Sequence, residues 1–63
     1  MQKVNFFLEN LENHLWQEVM FFLPNEGDFI SEGVFNEQRK WEVVGRIYFS
    51  ANQEWGIFLK EIE

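Results

Sequence analysis

The chain of 63 residues has no cysteine and no threonine, and it has a single histidine, His14. Without cysteine it can form neither a disulfide nor a thiolate metal site, and one imidazole does not make a zinc cluster. Ser31 and Ser50 are the remaining candidates for a nucleophile and sit in or beside predicted strands, and His14 has no obvious nucleophile to activate. We therefore expect no enzyme active site, no metal and no cofactor, and we expect a reducing, cytoplasmic location.

Long hydrophobic runs are also missing. The longest, Val19 to Leu23, is far shorter than the roughly 20 residues that span a bilayer. Glu9 and Glu12 interrupt the N-terminal segment, which argues against the apolar stretch of a signal peptide. These features predict a protein without a membrane segment.

Basic residues are scarce and unevenly placed. Residues 4–37 hold seven acidic residues and no Lys or Arg, whereas residues 38–63 hold four of each sign, and the net charge is −6. This distribution argues against direct binding to nucleic acid or to an anionic membrane. It favours a basic protein as partner.

Aromatic residues are abundant: eight Phe, three Trp and one Tyr. Each can bury on the order of 150–250 Å², which is how so short a chain can fold without disulfides or a metal. We expect a single domain over residues 1–63. A homodimer, which would enlarge the core, stays open as an alternative.

The apolar spacing between Asn5 and Leu23 predicts an N-terminal helix. The buried stripe would comprise Val4, Phe7, Leu8, Leu11, Leu15, Val19 and Phe22. Asn5 would cap the helix, and Pro24 and Gly27 would end it. Because Val4, Phe6 and Leu8 also alternate, residues 2–8 could instead form a strand.

The rest of the chain predicts three strands, Phe29 to Phe35, Trp41 to Ser50 and Glu54 to Ile62, joined by a polar turn at residues 36–40 and a tight turn at 51–53. The predicted fold is therefore α+β, with one N-terminal helix packed on a three-stranded antiparallel meander (α-β-β-β).

A three-residue loop would set the register of the last hairpin, with Phe49 opposite Trp55 and Ile47 opposite Ile57. One face would then carry a nearly continuous apolar set for the helix to cover: Trp41, Val43, Ile47, Phe49, Trp55, Ile57 and Leu59. The opposite face would carry Val44, Tyr48, Phe58 and Ile62, and it is where we expect contact with a partner or a second copy.

The acidic half suggests a function. A row of carboxylates on a rigid surface can imitate nucleic-acid phosphates and occupy the basic site of a nucleic-acid-processing enzyme or complex. Trp16 and Phe58 would pack at the edge as aromatic anchors. The predicted contact residues of the row are Glu9, Glu12, Glu18, Glu26, Asp28, Glu32 and Glu37. The alternative is a homodimeric structural or adaptor protein whose acidity serves only solubility.

In length, acidity and lack of cysteine and of an active site, the chain resembles small acidic proteins that phages and other mobile elements make against host enzymes. These include anti-CRISPR proteins, uracil-DNA glycosylase inhibitors and anti-restriction proteins. The resemblance implies an inhibitor that acts as a DNA mimic. It extends to no aligned residues, so it assigns no functional positions.

Overall fold

A computed structural model describes residues 1–33 and 39–62, and in these residues five strands form one curled sheet. The strands are β1 (Gln2–Leu8), β2 (His14–Met20), β3 (Phe29–Glu32), β4 (Arg39–Phe49) and β5 (Glu54–Ile62). Their order across the sheet is β2-β1-β5-β4-β3. The pairing of β1 with β5 is parallel, and the other three pairings are antiparallel.

The predicted helix from Asn5 to Leu23 is wrong, and with it the α+β assignment, because the described residues are all-β. The alternative of a strand over residues 2–8 matches β1. Strand β1 lies between β2 and β5, where Val4 and Phe6 are 0% and 1% exposed. Phe6 was off the predicted helical stripe, so a helix would have left it uncovered. Burial of alternate side chains by two neighbouring strands outweighs the helical spacing.

The turn between β1 and β2 also opposes a helix. The Asn10 side-chain oxygen accepts hydrogen bonds from the Glu12 backbone N–H (2.9 Å) and from the Asn13 side chain (3.2 Å). Glu9 has a left-handed backbone, with φ of 66°. Asparagine side chains that bond nearby backbone groups compete with helical hydrogen bonds and favour turns. Asn5, the predicted helix cap, lies within β1.

The predicted hairpin of the last two strands is confirmed, and β5 has the predicted bounds. Strand β4 begins at Arg39, so the prediction of a turn that includes Arg39 and Lys40 is wrong. Strand β3 ends at Glu32. The remainder of the predicted first strand and turn, residues 34–38, lies outside the described residues.

The predicted register of this hairpin is wrong by one residue. Tyr48, not Phe49, lies opposite Trp55, because the turn has four residues and ends at Gln53, whose φ is 56°. The pairing shifts again between Val43 and Gly45, which leaves Val44 as a bulge. Each one-residue shift moves side chains to the opposite face. The expected contact face of Val44, Tyr48, Phe58 and Ile62 is thereby divided.

The inner face of the sheet, which bears Val4 and Ile57, holds the core. Its fully buried cluster comprises Val4, Phe6, Trp41, Val43, Ile57 and Leu59. The link between β2 and β3, residues 21–28, closes this face, since Leu23 packs against the cluster. The link is held by backbone hydrogen bonds from Gly27 N–H to the Val43 carbonyl and from Val43 N–H to the Asp28 carbonyl, both 2.8 Å. None of the described residues belongs to a helix that could cross a membrane.

The outer face carries a second aromatic cluster. The Phe7 ring lies 5.9 Å from the Phe58 ring and 6.4 Å from the Phe49 ring, measured between centroids. Beside them, the Asn5 amide donates to Glu54 Oε1 at 2.8 Å, and the Gln17 amide donates to Asn5 Oδ1 at 3.0 Å. This polar row ties β2, β1 and β5 together.

Candidate acidic groove

The seven predicted contact acids occupy separate parts of the fold. Glu9 and Glu12 lie in the turn between β1 and β2, and Glu18 lies on β2. Glu26 and Asp28 lie in the link between β2 and β3, and Glu32 ends β3. Glu37 lies outside the described residues. The helix that would have aligned several of these acids does not form.

The structure brings three of the predicted contact residues together, Glu9, Glu12 and Phe58. With Asn10 and Leu11 they line an open cavity of about 530 Å³, which we call the acidic groove. Its volume is within the range of roughly 300–1,000 Å³ that is typical of ligand sites. Two glutamates and an aromatic residue therefore line the same open cavity.

The local sequence explains how the turn shapes the groove. The Glu9 N–H donates to the Leu59 carbonyl of β5 (2.9 Å), so the backbone of the turn is attached to the sheet. The Leu8 N–H then donates to the Asn13 carbonyl at 2.8 Å, which closes the turn. Glu12 is held by its bond to Asn10. These contacts fix the backbone beneath both carboxylates while the side chains stay exposed.

Glu9 and Glu12 take part in no ion pair with the described residues. Within residues 1–33 and 39–62, the ion pair that forms is Arg39 to Glu61, at 2.8 Å on the inner side of β4 and β5. No lysine or arginine of the described residues pairs with Glu9 or Glu12. An exposed pair of carboxylates beside an aromatic ring attracts a cation both through its charge and through the ring face.

Other predicted contact residues have structural roles. Trp16 is half-buried and stacks on Phe6, with 4.6 Å between ring centroids, so it packs on the core. Its indole N–H donates to Glu18 Oε1 at 3.1 Å. Asp28 Oδ2 accepts the Asn25 backbone N–H at 2.7 Å, which stabilises the link.

Leu11 is one of two groove residues, with Asn10, that were not among the predicted contact residues. It was assigned to the buried stripe of the predicted helix, but it is 50% exposed at the tip of the turn. The signal that could have found it is the pair of asparagines, Asn10 and Asn13, which favours a turn at this point. An exposed leucine between two glutamates adds an apolar contact to the groove.

A second exposed set lies where β2 ends. Val19 is 56% exposed, and Phe21 and Phe22, which follow β2, are 72% and 86% exposed. Val19 and Phe22 were also predicted to be buried. Strand β2 is an edge of the sheet, so these side chains adjoin unpaired backbone groups.

His14, the only imidazole, is exposed and lies edge-on to the Phe7 ring at 5.3 Å. The described residues contain no group of three His, Cys, Asp or Glu side chains that could hold a metal ion. No family of known proteins, no curated protein and no solved structure matches this chain.

Proposed function

We propose that this protein is a small acidic binding protein that docks on a basic protein partner, with an arginine side chain of that partner seated in the acidic groove. The observation that carries this proposal is the convergence of Glu9, Glu12 and Phe58 on one concave surface. The overall charge of −6 supports it by favouring encounter with a basic surface.

Arginine fits this groove better than lysine. A guanidinium is planar, so it can lie on the Phe58 ring while its N–H groups reach carboxylates at the rim. Lysine offers a compact, strongly hydrated charge that gains less from the ring. Leu11 would pack against the aliphatic part of the arginine side chain or against a neighbouring residue of the partner.

Nona-arginine and nona-lysine peptides test the proposal by calorimetry at low and at moderate salt. We expect tighter binding of the arginine peptide and weaker binding of both peptides as salt screens the charges. Glu9→Gln with Glu12→Gln should lower affinity for nona-arginine by about tenfold or more, since two charge-assisted hydrogen bonds are lost. Phe58→Leu should reduce the preference for arginine over lysine.

The matched control is Glu18→Gln with Glu26→Gln. It changes net charge by the same amount, but both residues lie outside the groove. This control should lose much less affinity than the groove variant. Equal losses in the two variants would mean that the peptide follows the overall charge, and the groove assignment would be wrong.

The expectation that the partner is a nucleic-acid-processing enzyme stays a prediction. It has a direct test once a basic partner is captured. A DNA duplex should compete with this protein for such an enzyme, because both would occupy the same basic site. Simultaneous binding of the duplex and this protein would place the contact elsewhere on the partner.

A second candidate function is self-association through β2. This strand is an edge of the sheet and contains no lysine and no proline, the residues that commonly block pairing of edges. The exposed Val19, Phe21 and Phe22 lie along or just beyond it. An antiparallel pair of β2 strands would join two sheets and cover these side chains.

Sedimentation over a wide concentration range tests self-association. A dimer that dissociates in Val19→Lys and persists in Val44→Lys would support pairing through β2, because Val44 is also exposed (39%) but lies on the β4 bulge. A wild-type protein that stays monomeric at millimolar concentration would exclude it.

A further inference from the structure

A second cavity, distinct from the acidic groove, lies toward the β3 edge of the sheet. It has a volume of about 380 Å³ and is lined by Phe29, Ile30, Ser31, Lys40 and Ile62. We call it the β3 trough. Ser31 of β3 lies opposite Lys40 of β4, and Lys40 lies opposite Ile62 of β5. These three side chains therefore form one row across the outer face.

The dimensions of the trough follow from this register. Adjacent strands are about 4.8 Å apart, so the row from Ser31 to Ile62 spans roughly 10 Å. Phe29 lies two residues before Ser31 on the same face of β3 and forms one wall. Ile30 borders the trough from the same strand, while its side chain packs against the core cluster. The trough is thus an elongated apolar surface with one cation at its middle.

The polar groups in the trough have no partners in the described part of the chain. The Lys40 ammonium forms no ion pair there, and neither Lys40 nor Ser31 makes a side-chain hydrogen bond. On the same face, Glu42 lies opposite both Phe29 and Lys60. No carboxylate of the described residues pairs with Lys40, so its ammonium is open to a ligand.

We propose that the β3 trough binds a small carboxylate with an apolar body. The carboxylate would accept hydrogen bonds from the Lys40 ammonium and the Ser31 hydroxyl, which are the two donors that line it. The apolar body would lie on Phe29 and Ile62. Phe29 is 72% exposed, so covering it removes a large apolar area from water.

This combination of features is typical of sites for small molecules. Such sites are mainly apolar, with a small number of polar groups that orient the ligand. The trough also differs in charge from the acidic groove, whose glutamates would repel a carboxylate. The proposal does not depend on binding of a basic partner, and either could fail while the other holds.

Octanoate, with octanamide as its uncharged analogue, provides the test. Titration into ¹⁵N-labelled protein should shift the backbone signals of residues 29–31, 40 and 62, with saturable binding. Octanamide should bind several-fold more weakly, because it lacks the charge that Lys40 recognises. Equal binding of the two compounds would overturn the proposal without the use of any variant.

Two lysine variants locate the charge. Lys40→Gln should weaken octanoate binding by about three- to tenfold, the range expected for a partly exposed charged hydrogen bond. Lys60→Gln makes the same charge change on the neighbouring strand, outside the trough, and should alter binding by less than about twofold. Similar losses in both variants, or shifts confined to Met1, Phe21 and Phe22, would assign the binding to general charge or to another apolar surface.

Discussion

Gly56 on β5 offers the sharpest test of packing on the outer face. A Cβ atom added there would lie 2.8 Å from Phe49 Cε2, 2.9 Å from Ile47 Cγ2 and 3.1 Å from Phe7 Cε2. Carbon atoms in favourable contact are about 3.5–4.0 Å apart. Gly56→Ala therefore forces the surrounding side chains to move by roughly 0.5–1 Å.

The structure sets the magnitude of the effect. Overpacking of this kind costs about 1–3 kcal/mol, and the backbone preference for alanine over glycine in a strand returns about 0.5–1 kcal/mol. Phe49 and Ile47 are partly exposed and can yield, whereas Phe7 is buried between His14 and Phe58. We expect a net loss of about 1–2 kcal/mol, which corresponds to a melting temperature about 8–15 °C lower for a domain of this size.

Gly45→Ala is the matched control, since Gly45 lies on the paired strand β4. Its added Cβ would meet Phe58 Cδ2 at 3.6 Å, an ordinary contact. That variant should be as stable as the wild type or more stable by up to about 1 kcal/mol. Urea unfolding followed by tryptophan fluorescence measures both variants. If Gly56→Ala is as stable as Gly45→Ala, the cluster of Phe7, Phe49 and Ile47 is not packed as described.

Substitutions at three further positions test separate features of the fold by the same unfolding measurement. Gln53→Gly should stabilise the protein by up to about 1 kcal/mol, because Gln53 has φ of 56° and glycine tolerates a left-handed backbone; a loss of stability would contradict that backbone assignment. Asn5→Ala should cost about 1 kcal/mol or slightly more, because it removes the hydrogen bonds of Asn5 to Glu54 and Gln17, although Gln17 still donates directly to Glu54 at 3.1 Å. An unchanged midpoint would show that the Asn5 amide is dispensable. Trp41→Ala should cost about 3–5 kcal/mol. Trp41→Phe should cost much less, since the buried indole N–H has no hydrogen-bond partner among the described residues. A Trp41→Phe variant that loses as much stability as Trp41→Ala would show that this N–H does have a partner.

The C-terminal hairpin was the part of the fold that local sequence predicted best. Alternating apolar residues define β4 and β5, and each strand pairs with the other across a short turn. Its register was not predictable in the same way. It depends on the left-handed backbone of Gln53 and on the bulge at Val44, and neither has a strong local signal.

The prediction for the N-terminal segment was wrong for a different reason. Its apolar spacing fits a helix and, over residues 2–8, also a strand. The choice is decided by β5, which lies some fifty residues later and pairs with β1 in parallel, with Val4 opposite Trp55. A local pattern carries no information about so distant a partner.

The same distinction between local pattern and distant strand pairing applies to the candidate site. The sequence singled out Glu9, Glu12 and Phe58, but as members of a longer row and as an edge anchor. Only the pairing of β1 with β5 brings the turn between β1 and β2 beside Phe58. The β3 trough was not predicted at all, because its row of Ser31, Lys40 and Ile62 comes from three different strands.

By itself, the sequence determined the acidic character, the aromatic core composition and the strand nature of residues 54–62, since composition and alternation act locally. The tertiary structure alone decided that the first half of the chain forms strands. It also decided which face of the sheet each side chain of the hairpin occupies and which acidic residues line the acidic groove together. The physical reason is that strand pairing is non-local: hydrogen bonds and burial between distant segments override a local spacing that two structures satisfy.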